Sequence, residues 1–84
     1  MAQETLTQAT VAVYPLRQES YEAVDRAIDA LRSCGVRVQA RGLNTDIGGS
    51  TAEVFRALRA AYEAAAASGE TVMTITLSNA CPAP

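Results

Sequence analysis

The sequence contains no lysine, no histidine and no tryptophan, and only one phenylalanine, three tyrosines and two cysteines among 84 residues. Without histidine the chain lacks the usual general base near neutral pH and the commonest metal ligand. Without lysine all side-chain positive charge rests on seven arginines, and nine acids leave a net charge of −2. The arginines are scattered from Arg17 to Arg59, so no phosphate-tracking stripe exists and nucleic acid is excluded as a partner. Cys34 and Cys81 form no CxxC pair, and a cytosolic chain keeps two such thiols reduced. The sequence sets no basic side chain beside either cysteine to lower its pKa, so neither reads as a nucleophile. No apolar run approaches the ~20 residues that span a bilayer. Residues 1–9 have neither a cationic start nor an apolar core, so no secretory signal is expected and the expected location is the cytoplasm.

What is present points to one compact domain over residues 1–84. Apolar residues make up 49% of the chain, which argues against disorder. A chain of this length builds only a thin core and is marginally stable without a partner.

Hydrophobic periodicity changes along the chain. A strand is expected from Thr7 to Leu16, with Val11 and Val13 on one face, Ala12 and Tyr14 on the other. Pro15 has no N–H to donate, so the strand ends there. Ser20 reads as the N-cap of a helix whose stripe is Tyr21, Val24, Ile28 and Leu31. Gly35 fits the left-handed position after it. Residues 36–40 alternate as a second strand, Arg41-Gly42 is the turn, and residues 43–47 return as a third strand. Ser50 and Glu53 form a capping box before a second helix. That helix buries Val54, Leu58, Ala61 and Ala65, with Phe55 and Tyr62 at the edge of its stripe, and ends at Ser68-Gly69. Residues 71–79 alternate again, with Met73, Ile75 and Leu77 on one face. This strand ends before Cys81-Pro82.

The order β-α-β-β-α-β predicts an α+β, ferredoxin-like fold: a four-stranded antiparallel sheet of order 4-1-3-2 with two helices on one face. The first and last strands are expected side by side in the middle of the sheet, each stopped by its proline. Val11, Val13, Val36, Val38, Leu43 and Ile47 are expected to pack against the helices, with Met73, Ile75 and Leu77. Tyr14, Arg37, Gln39, Asn44, Asp46, Thr74, Thr76 and Ser78 are left on an open polar face suited to pairing with another subunit.

Few residues suggest chemistry. Thr45 lies between Leu43 and Ile47, so parity turns its hydroxyl toward the helices. It is either bonded to backbone or a polar anchor in an apolar pocket. The stretch Gly48-Gly49-Ser50-Thr51 precedes a helix and is either a capped turn or an anion cradle, although it is too short for a P-loop and lacks the lysine. Asn44 and Asp46 are solvated, or meet a partner or a cationic ligand. Tyr14 either covers sheet or stacks on a flat ring. No nucleophile, base and orienter can be assembled, so an enzyme is not expected.

Several of these pieces occur together in a known family. "VAVYPL" with Tyr14-Pro15, Thr45, Gly49-Ser50 before Val54-Phe55, Tyr62, and "VMTITLSNACP" through Ser78 resemble the YkoF-type thiamine/hydroxymethylpyrimidine-binding family over residues 10–82. Single-domain thiamine-binding proteins are similar too, through Val36-Arg37, Gly42 and Thr45. The resemblance implies a ferredoxin-like fold and binding, without turnover or cofactor, of thiamine or its pyrimidine precursor. It also implies a homodimer or tetramer, and a cytoplasmic role in vitamin uptake or salvage beside a membrane transporter partner. Relatives tend to carry serine where this chain has Ala12. An aminopyrimidine needs a flat wall and two or three hydrogen-bonding groups. Tyr14 can supply the wall and Thr45, Ser50 and Ser78 the hydroxyls, with Gly49 beside them and Asp46 for the thiazolium cation. Thr45 and Ser78 fall on opposite sheet faces by parity, so a pocket using both wraps a strand end or spans a subunit boundary. The alternative is a structural or regulatory oligomeric module without a ligand.

Overall fold

The computed structural model describes residues 6–80. The Cys81-Pro82 strand end lies outside them. The chain runs β1 (Leu6–Pro15), α1 (Glu22–Arg32), β2 (Arg37–Arg41), β3 (Asn44–Ser50), α2 (Thr51–Ala66) and β4 (Thr71–Ser78). All pairings are antiparallel and the sheet order is β2-β3-β1-β4, the expected order read from the other side. β1 and β4 are adjacent, but they do not share the middle. β1 is central and β4 is an edge strand.

Pro15 is the last residue of β1, opposite Thr71. Beyond it the chain is fastened to the α2–β4 connection. The Glu70 carbonyl accepts from the Leu16 N–H at 2.9 Å and from the Gln18 amide at 2.6 Å. Arg17, between them, takes a left-handed φ of 55° and reaches the Glu70 carboxylate at 3.1 Å.

The hairpin shifts by one residue from the expected register. Its turn is Gly42-Leu43, and Arg41 pairs with Asn44. Gly42 has φ 55°, which a tight hairpin demands and glycine adopts without strain. The shift places Leu43 at the turn, 87% exposed, rather than in the core. β3 also runs further than expected, through Gly48 and Gly49, and Gly48 pairs with both Gln8 and Arg37. The expected glycine loop is therefore strand, and its backbone belongs to the ladder rather than to an anion cradle.

The core is built largely from small side chains. Ala23, Ala27 and Leu31 of α1 are buried with Val54, Ala57, Leu58, Ala61 and Ala65 of α2, over Ala9, Val11 and Ile47 of the sheet. Alanines between the helices allow close approach, so Val24 and Ile28 are only partly buried and Tyr21 is exposed. The N-cap of α1 is Tyr21 rather than Ser20, although the Ser20 hydroxyl still accepts from the Glu22 N–H at 3.4 Å. Gly35 is left-handed, as expected.

Ile75 and Leu77 do not join the core. They are 41% and 42% exposed, because α2 lies chiefly over β1 and β3 and leaves the β4 edge uncovered. On the opposite face Ala12 is buried, a small residue beside Thr74 of β4.

Candidate functional site

The capping box fixes the start of α2. The Ser50 hydroxyl accepts from the Glu53 N–H at 3.2 Å, and Glu53 Oε1 accepts from the Ser50 N–H at 3.1 Å and its hydroxyl at 2.9 Å. These donors, together with the Arg56 charge, hold the Glu53 carboxyl below its usual pKa against a smaller opposing effect of desolvation. Beside the box, the Thr7 and Thr51 hydroxyls meet at 2.6 Å.

The residues singled out from the sequence fall into separate places. Tyr14, Asp46 and Ser78 lie on the open sheet face; Thr45 and Gly49 lie on the helix face. Ser50 has its hydroxyl engaged in the cap. Asp46 accepts from the Thr10 hydroxyl at 3.0 Å and pairs with Arg41 at 3.1 Å. Ser78 accepts from the Ala80 N–H at 3.0 Å. Tyr14 stands six residues along β1 from Gln8, the partner of Ser78, roughly 20 Å at strand rise. Thr45 is 7% exposed, between Val11 and Ala40 on the neighbouring strands. Within one subunit these six residues do not line a single pocket.

Three hollows stand out among the described residues. One of about 320 Å³ lies at the β1–β3 end, where Arg37 crosses Gly48; glycine there leaves room for a guanidinium that a Cβ would meet at 3.3 Å. A wider polar trough on the open face lies between Thr10, Gln39, Arg41 and Asp46.

The third, of about 550 Å³, separates α2 from the β4 edge. Phe55, Leu58 and Tyr62 form its helix wall, and Met73, Ile75 and Leu77 its sheet wall. Arg59 stands at its margin, paired with Glu63 at 3.3 Å. Phe55 and Tyr62, a helical step of seven apart, are 53% and 48% exposed. Of the three it alone combines aromatic side chains with a nearly continuous apolar lining, the mixture that suits a flat heterocycle. Its residues carried a signal in the sequence: apolar positions at the rim of a helical stripe, and an alternating strand. What the sequence did not reveal is that the helix stops short of that strand.

The sequence pattern of the YKOF-related family matches residues 6–84. No curated protein sequence is similar to the chain. Among solved structures, a protein from Streptococcus pneumoniae superposes with a TM-score of 0.81 at 21% identity, covering 87% of this chain and 84% of that one. A hypothetical protein from Methanocaldococcus jannascii gives 0.79 at 19% identity, covering 88% and 79%. A suggested thiamine biosynthesis/salvage protein from Thermotoga maritima gives 0.75 at 19% identity, covering 86% and 81%.

Proposed function

The chain belongs to the YKOF-related family, and on that premise we propose that it binds thiamine or its hydroxymethylpyrimidine precursor without turnover, in cytoplasmic uptake or salvage of the vitamin. The observation that carries this reading is the aromatic-rimmed groove between α2 and β4. The thiamine-related Thermotoga maritima neighbour of the same fold supports it further. The aminopyrimidine lies against Phe55 and Tyr62, the Arg59 guanidinium offers donors to the ring nitrogens, and the Glu63 carboxylate accepts from the exocyclic amine. In this role the protein works as a homodimer or tetramer beside a membrane transport component.

A thermal-shift titration with thiamine, its phosphates and hydroxymethylpyrimidine tests the proposal. A ligand at 100 times its Kd stabilises the fold by about 2.7 kcal/mol. Phe55→Ala and Tyr62→Ala are each expected to weaken binding about tenfold, the usual scale for a lost aromatic stack. Thr45→Val and Asp46→Asn distinguish the groove from the sheet positions chosen from the sequence: if the groove is the site, neither changes affinity. A second reading, an interaction module without ligand, is favoured by the uncovered β4 edge and gains if no compound produces a shift.

A further inference from the structure

Seven arginines carry all the side-chain positive charge, and the fold uses them unequally. Arg17, Arg26, Arg41 and Arg59 each pair with a carboxylate. Arg32, Arg37 and Arg56 have no ion-pair partner among the described residues. Of these three only Arg37 lines any of the hollows described above, and it lines two: the one of about 320 Å³ at the β1–β3 end and the polar trough of the open face.

Arg37 is also seated. Gly48 stands opposite it in the β2–β3 ladder. Its Nη2 comes to 3.3 Å, and its Nε to 3.8 Å, of the point that a Cβ on residue 48 would occupy. Gln8 Cγ, from the strand on the other side, stands 3.9 Å from the same point. Gly48 has no positive φ, so its backbone is open to any residue. What glycine supplies here is a floor for the guanidinium. A long side chain loses much freedom when a ligand immobilises it, and seating it beforehand moves part of that cost to folding. The nearby acids are engaged elsewhere. Asp46, two residues along β3, holds Arg41 at 3.1 Å and the Thr10 hydroxyl at 3.0 Å. Glu53 Oε1 lies beside Gly49 on the helix side and takes both donors of Ser50. The remaining lining of the smaller hollow is uncharged, and within it the Gly35 N–H donates to no described group.

We propose that Arg37, laid over Gly48 and flanked by Gln8, is a binding site for an oxyanion: the phosphoryl or carboxylate group of a small molecule. The guanidinium presents parallel N–H donors at the spacing of two anion oxygens, and the Gln8 amide adds a neutral donor beside them. The two β3 glycines act as clearance, not as donors, so the site does not draw on the backbone N–H groups of a helix start. The hollow is larger than one phosphate or carboxylate and has room for an organic remainder against Leu6. It shares no lining residue with the α2–β4 groove, so it stands whether or not the carrier reading holds.

The test uses the full chain with inorganic phosphate or acetate as the probe, sodium chloride holding the ionic strength constant, and amide proton–nitrogen correlation spectra as the readout. Saturable shifts are expected at Gly35, Gly48 and Gln8 and at the Arg37 Nε–H. Saturation by phosphate alone assigns a phosphoryl ligand, by acetate alone a carboxylate, and by both their shared chemistry; each supports the site. Arg37→Gln is expected to weaken binding about tenfold or more, the scale of a lost charge-assisted hydrogen bond. Gly48→Ala, which pushes the guanidinium off its floor, is expected to weaken it by a smaller factor. Arg56→Gln removes an equal charge away from the hollow and is expected to leave affinity unchanged. The undisturbed remainder of each spectrum shows that the variant is folded. No saturable shift with either probe, shifts reproduced by sodium chloride, or undiminished affinity in Arg37→Gln or in Gly48→Ala overturns the proposal. Thiamine is absent from these titrations, so loss of the oxyanion site and loss of thiamine binding are scored apart.

Discussion

Ser50 and Glu53 exchange three hydrogen bonds at the one point where strand passes directly into helix. Removing the cap hydroxyl in Ser50→Ala is expected to cost about 1 kcal/mol, read from chemical denaturation. The same cluster sets a pH dependence. Because the Glu53 carboxyl lies below its usual pKa in the folded chain, its contribution is fully present above the unfolded value and is lost as pH falls through the folded one. Stability measured on the acid side should therefore fall less steeply in Glu53→Gln than in the wild type. This box was legible in the sequence because it involves residues three apart. Leu43 was misplaced because the turn lies one residue later than expected, which takes position 43 out of the strand; Thr45, Asp46 and Ile47 beyond it keep the expected faces.

Among the elements, the two helices depend on alanine. Ala57 and Ala61 are completely buried, as are Ala23 and Ala27 across from them, so this interface has no slack for a larger side chain. Ala61→Leu is expected to destabilise by about 1–3 kcal/mol, measured as a lowered denaturation midpoint with an unchanged slope. The sequence stripes picked out Val24 and Ile28 because large apolar residues dominate a periodicity reading. Close packing preferred the alanines, since only they allow the helices to approach. β3 is a similar case. Two consecutive glycines read as a loop, yet they extend the strand, and at Gly48 the missing side chain makes room for Arg37.

For the whole molecule, the order of helical and alternating segments was enough to give the topology, because connection rules leave few ways to arrange them. The candidate site was less legible. Face parity separated Thr45 from Ser78 at once, but no pattern in the chain states how far a helix overhangs the strand beneath it. That overhang leaves the α2–β4 groove open. The largest fully buried side chains are only Leu31, Val11 and Val54, so this core is small, and the proposed homodimer or tetramer would add to the burial. The melting temperature is accordingly expected to rise with protein concentration, as mass action requires of a dimer; scanning calorimetry over a hundredfold range of concentration checks it.

The fastening at Glu70 acts at one end of β4 alone, where Leu16, Gln18 and Arg17 hold the strand as it enters the sheet. At the other end Ser78 pairs with Gln8 of β1, and its hydroxyl accepts from the Ala80 N–H at 3.0 Å. Among the described residues, β4 is thus fastened at its root by side chains as well as by the ladder and at its tail by the ladder with β1, so fraying is expected to start at the tail.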